Sequence, residues 1–267
     1  MDQHIKLPNV KELISQILEK KYSDKDKKQT KSINGWVEKD IEDRKERREK
    51  WDKNEKFFWL VQCFLARAQS PPNLCKPLLE YVQKIENINE ESIIKAIEEY
   101  KKRDEYKNRW GNEITVKIIE DAKKVLHKHY KDDCEIYFDK AEKEFDEFIK
   151  ADKKNGIDHF LEIKGIGLKL RDYALSDFSE KYLAVDTNLL KALNHTGLIL
   201  YKYPYKISLR LFEIDYKNIQ QLCLKFASEL NKPPQWLDRV LFHFGKEFCD
   251  VKNCNVSECL TCRFKNE

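Results

Sequence analysis

An all-α fold arranged as two helical lobes is what the sequence predicts, on three observations. Apolar residues recur at helical spacing: Ile114, Ile118, Ala122, Val125 and Leu126 form one stripe, and Tyr137, Phe138, Ala141, Phe145, Phe148 and Ile149 form another. Apolar–polar alternation over four or more residues, the mark of a half-buried strand, is hard to find. The segment "FFWLVQCFLARAQSPP", residues 57–72, is apolar almost all round and stops at Ser70-Pro71-Pro72, as a buried helix ended by proline does. With 267 residues, 41% of them hydrophobic, and five Trp, the chain is long enough to bury a real core.

Charge decides little at the level of composition. Lys and Arg number 51 against 47 Asp and Glu, a net charge of +4. That balance neither shows nor forbids a nucleic-acid partner, because any such surface depends on local segregation of charge. No apolar run approaches the roughly 20 residues that span a bilayer, so no membrane association is expected. The opening "MDQHIKLPNV" lacks the basic-then-apolar pattern of a secretory signal, and an intracellular location is expected. Structural disulfides are rare there, so the eight cysteines need another account. Cys63, Cys75, Cys134 and Cys223 are scattered among apolar residues and read as small core residues.

Residues 19–55 are strongly charged, as in "DIEDRKERREKWDKNEK", and read as a solvated helix face or a mobile arm in preference to a basic DNA-contacting arm. Asn34-Gly35 and Asn155-Gly156 would suit β-hairpins, but their helical flanks favour left-handed helix stops.

The stretch "LEIKGIGLKLRDYALSDF", residues 161–178, holds two of only seven glycines in the chain. Ahead of them "GIDHFLEI" predicts a short helix with Ile157, Phe160, Leu161 and Ile163 as its apolar face. Lys164, Gly165, Ile166 and Gly167 then turn the chain, and a second helix starts with Leu168, Leu170, Tyr173 and Ala174 available for packing. The result is a helix–hairpin–helix over about residues 156–178. Its turn offers backbone N–H groups at a helix N-terminus, a seat for a DNA phosphate. An ordinary glycine-stopped turn between helices is the bland alternative.

Lys169 falls in the first turn of that second helix, where the helix dipole disfavours an ammonium. A neutral amine is what imine-forming catalysis requires, although a surface lysine among 51 basic residues is the simpler reading. Seventeen residues further on (186 − 169) comes "LAVDTNLLKALNHTG", in which Asp186 or Thr187 suits a helix N-cap.

Together "GIGLK…AVDTN" resembles the signature of the helix–hairpin–helix base-excision DNA glycosylases, the endonuclease III group. The resemblance covers roughly residues 55–262. It implies that Lys169 attacks the sugar C1′ of a flipped nucleotide and that Asp186 assists, by stabilising cationic character at the sugar or helping proton transfer. It likewise implies that Gln69, in "FLARAQS", fills the gap left by the extruded base; a plain polar helix end is the alternative. Mono-functional members that act on alkylpurines or mismatched adenine lack the lysine, so Lys169 points to a bifunctional glycosylase and AP lyase. The implied partner is double-stranded DNA carrying a damaged base or abasic site, bound by a monomer. Oxidised pyrimidines are the default lesion, with oxidised purines and deaminated mismatches open. Residues 50–181 are expected to form a helical barrel-like domain with the hairpin, and 1–49 with 182–267 a second helical domain, DNA lying in the cleft between. The rival readings are a mono-functional enzyme in which Asp186 activates water, and a non-enzymatic binder using the hairpin alone.

Four cysteines close the chain: Cys249, Cys254, Cys259 and Cys262, spaced C-x4-C-x4-C-x2-C within fourteen residues. Thiols so crowded in a short tail read as a metal site, since ligation folds a segment too small to hold a core. The segment "VLFHFGKEFC" resembles the family stretch leading into the cluster cysteines and puts Cys249 first. The family spacing, C-x6-C-x2-C-x5-C, is wider. The expected cofactor is a [4Fe-4S] cluster in a C-terminal loop, with structural zinc as the alternative.

Overall fold

A computed structural model describes residues 9–24, 29–65, 112–199 and 213–249. In chain order the elements are α1 (Val10–Glu19), β1 (Lys21–Asp24), β2 (Gln29–Ser32), α2 (Ile33–Lys50), α3 (Lys53–Leu65), α4 (Asn112–Tyr130), α5 (Cys134–Lys143) and α6 (Phe145–Lys150). A 3-10 turn (His159–Glu162) follows, then α7 (Leu168–Phe178), α8 (Thr187–His195), α9 (Glu213–Leu230) and α10 (Pro234–Phe248). The fold is mostly helical, and the chain divides into two compact units, residues 46–179 and residues 1–45 with 180–267.

The unit of residues 46–179 packs around aromatic side chains. Phe160, on the 3-10 turn, is fully buried against Phe64 of α3 and against Tyr130 and Tyr137, with ring centroids 5.2, 5.8 and 4.6 Å away. Burying one such ring stabilises by roughly 1.5–3 kcal/mol, so the arm entering the hairpin is plugged into the core. At the other end of α7, Phe178 stacks on Phe138 at 4.0 Å, and Trp59 donates a hydrogen bond to the buried Asp177. Cys63 and Cys134 lie in this core, and burial pushes the Cys134 thiol up to about 12, as inert packing thiols require.

In the unit of residues 1–45 with 180–267, α8 lies against α10, and Leu189, Leu190 and Leu193 of the one and Val240, Leu241 and Phe244 of the other are buried. His243 of α10 is held at both ring nitrogens. Nδ1 pairs with the Tyr22 hydroxyl at 2.6 Å and Nε2 with Asp40 at 2.8 Å. Burial raises the Asp40 carboxyl, but the hydrogen bond and charge of His243, with Arg239 and Arg44, outweigh it and leave the group below its ordinary value. Cys223 is buried in this unit, and its thiol is raised by that burial.

Three details depart from expectation. The described residues include one antiparallel hairpin, β1 with β2, with Lys21 opposite Ser32 and Asp24 opposite Gln29, added to an otherwise helical fold. Its strands, "KYSD" and "QTKS", carry no apolar alternation; contacts such as Tyr22 on Trp36, at 5.6 Å, anchor them instead. Asn34-Gly35 does not stop a helix but lies in the first turn of α2, where the Ser32 hydroxyl accepts from the Gly35 N–H and Ile33, Trp36 and Val37 are buried. Gly156 is left-handed (φ +64°) but sits in a turn beyond the end of α6.

Candidate active site

The hairpin is built from unlike arms. The first is only a four-residue 3-10 turn, capped by Asp158, whose carboxylate accepts from the Phe160 N–H at 3.0 Å. Ile163 and Ile166 then turn inward, buried, while Lys164 and Gly165 stay exposed at the tip. Gly165 has φ +98°, a left-handed conformation that side chains resist. Gly167 is different. It is the N-cap of α7 at φ −127°, ψ 176°, an extended conformation open to any residue, and nothing lies within 4 Å of where its Cβ would be. No side chain caps α7, and no Cβ stands beside its first N–H groups.

Lys169 occupies that uncapped first turn and is half-buried. Among the described residues no carboxylate pairs with its amine. Two residues on, Arg171 enters the core and is fully buried. It donates to the Phe148 carbonyl at 2.9 Å and to Asp158 at 3.2 Å, and pairs with the buried Asp172. Asp158 also receives the Tyr137 hydroxyl at 3.4 Å; burial pushes its carboxyl upward against the pull of Arg171. One carboxylate therefore caps the first arm and grips the second, which fixes the turn carrying Lys169. This clamp is not legible in the sequence, where Asp158 and Arg171 look like two more charges in a chain that is 37% charged.

Asp186 is the N-cap of α8. Its Oδ1 accepts from the Leu189 N–H at 2.8 Å, and the residue is partly exposed. The chain reaches it through Tyr182–Val185, all buried, with the Leu183 carbonyl accepting from Gln220 at 3.2 Å and the Val185 N–H donating to the Tyr216 hydroxyl at 3.2 Å. Each candidate catalytic group is thus seated in a helix start by buried contacts of its own unit. Cys249, buried, ends α10 as its C-cap. Gln69, Cys254, Cys259 and Cys262 lie outside the described residues, and among the described residues no three potential ligands gather. No helix among them is long and apolar enough to cross a membrane.

No protein-family model and no curated protein matches the chain. Its fold is similar to that in the crystal structure of Tm1821, the 8-oxoguanine DNA glycosylase of Thermotoga maritima. The TM-score is 0.53 at 18% sequence identity, over 91% of this chain and 100% of that chain.

Proposed function

We propose that the chain is a base-excision DNA glycosylase with AP lyase activity, acting on double-stranded DNA. The observation that carries this reading is Lys169 in the uncapped first turn of the second hairpin helix, within a fold shared with a DNA glycosylase. The open N–H groups at Gly167 and the exposed Lys164–Gly165 tip suit a phosphate of the DNA backbone. A target base inside a duplex is out of reach, so the nucleotide is flipped out, with Gln69 filling the vacancy. The Lys169 amine attacks C1′, the base leaves with the glycosidic electron pair, and loss of a proton and ring opening give the imine; β-elimination then breaks the 3′ C–O bond. Asp186 stabilises positive charge at the sugar as the base departs. The lesion proposed first is 8-oxoguanine, after the solved neighbour, ahead of the oxidised pyrimidines that the endonuclease III resemblance suggests.

The four C-terminal thiols suit a thiophilic metal, and Cys249, buried where α10 ends, would be the first ligand. The group proposed is [4Fe-4S], which would staple the tail to the end of α10 and leaves base excision to Lys169 and Asp186. Iron with inorganic sulfide in anaerobically purified protein is the expected result; stoichiometric zinc alone would replace the assignment.

Borohydride trapping on duplexes carrying single lesions or an abasic site tests the enzyme reading. The wild type is expected to give a covalent adduct. Lys169→Ala is expected to lose the adduct and at least about 10³ in rate. Base release without trapping would instead favour the mono-functional mechanism.

A further inference from the structure

Gly245 lies within α10, where a glycine weakens a helix relative to alanine. A Cβ at this position would stand 1.8 Å from the Asn188 carbonyl oxygen and 2.6 Å from its carbonyl carbon. Both atoms are backbone of the first turn of α8, two residues beyond Asp186, and no side-chain rotation relieves such an overlap. The missing methyl is what lets the two helices meet backbone to backbone at this point.

The surroundings hold that contact rigid. α10 is fixed two residues earlier, where His243 is engaged at both ring nitrogens by Tyr22 and Asp40. On the other side of Asp186, the chain entering α8 is pinned by the Tyr216 hydroxyl accepting from the Val185 N–H. Asp186 therefore sits between two fixed points, one on each side along the chain, and its carboxylate spans the short gap to the Leu189 N–H.

We propose that Gly245 and Tyr216 are positioning residues for Asp186: the glycine seats the first turn of α8 on α10, the tyrosine hydroxyl holds the lead-in, and together they set where the carboxylate stands. The inference rests on Asp186 acting in base excision, and it explains why α10 keeps a glycine that would otherwise only weaken a helix.

The test uses the full chain, with steady-state and single-turnover excision on a lesion duplex that the wild type cleaves. Gly245→Ala is expected to lower kcat about 10²-fold, the cost of moving a catalytic group by about an ångström, with KM little changed. Tyr216→Phe removes one hydroxyl, keeps the core filled, and is expected to lower kcat about fivefold with the same signature. In both, exchange of the Leu189 amide with solvent speeds up. Adding either change to Asp186→Ala is expected to cost nothing further, because the group being positioned is already gone. Full loss in the Asp186→Ala background would overturn the proposal by showing a general structural effect. So would unchanged Leu189 exchange or a rate within twofold of wild type in Tyr216→Phe, the variant that decides the matter if Gly245→Ala does not fold. A wild type inactive on every lesion would sink the enzymatic reading, whereas Leu189 exchange would still report whether these residues seat Asp186.

Discussion

The starts of α7 and α8 have almost the same backbone and opposite chemistry. Gly167 stands at φ −127°, ψ 176° and Asp186 at φ −102°, ψ 177°, both extended N-caps. Asp186 turns its own carboxylate onto the helix and satisfies the Leu189 N–H; Gly167 has no side chain to offer, and the first N–H groups of α7 have no side-chain cap. Glycine is not needed at 167 for its conformation, as it is at Gly165 with φ +98°. It is needed for what it leaves out. A helix start that caps itself fixes a side chain in place, and one that does not is available to an anion from elsewhere. Lacking a cap, α7 takes its rigidity from the buried Asp158–Arg171 pair instead.

That contrast breaks most severely at the pair. Arg171→Met leaves Asp158 buried without its cation and is expected to cost about 3–5 kcal/mol in a denaturant melt. Asp186→Asn separates capping from chemistry, because asparagine caps a helix as well as aspartate does. Its melt is expected to match wild type while single-turnover excision falls about 10²-fold, and Asp186→Ala adds a stability loss of about 1 kcal/mol. Gly167→Asp converts the open start into a self-capped one at a site with room for the side chain. It is expected to stabilise the fold by up to about 1 kcal/mol while weakening DNA binding roughly tenfold, with a shallower dependence on salt. The smallest effect is expected at Asp40, which holds α10 through His243. Asp40→Asn is expected to cost within about 1 kcal/mol at neutral pH. Because the folded carboxyl titrates below its ordinary value, the contribution is present above the unfolded pKa and disappears as pH falls through the folded one. Acid melts of the two proteins should therefore begin to converge only once pH falls below about 4, the ordinary carboxyl value.

Much of this was legible in the residues because glycine is so scarce here. Gly165 and Gly167 mark the turn, and Lys169 follows at a distance that puts it in the first helical turn. Asp186 ahead of a Leu-rich run reads as a cap for the same local reason. What stayed hidden depends on partners distant in the chain. Nothing near Arg171 says that it is buried, since its partners Asp158 and Phe148 come from other elements. Gly245 looks like a flaw in a helix until Asn188 is found beside it. The β1–β2 hairpin is polar on both strands and owes its place to side chains such as Trp36 and His243.

That hairpin changes what the first fifty residues are. They lie outside the stretch whose sequence resembles the glycosylases, and from their charge they read as a solvated helix face or an arm. Yet Tyr22 and Asp40 supply both partners of His243, and Ile17, Ile33 and Trp36 are fully buried. A shortened protein beginning at Lys53 would strand a mostly buried imidazole and bare apolar surface on the unit that carries Asp186. The smallest piece of this chain that keeps that unit's core begins well ahead of the half whose sequence is recognisable.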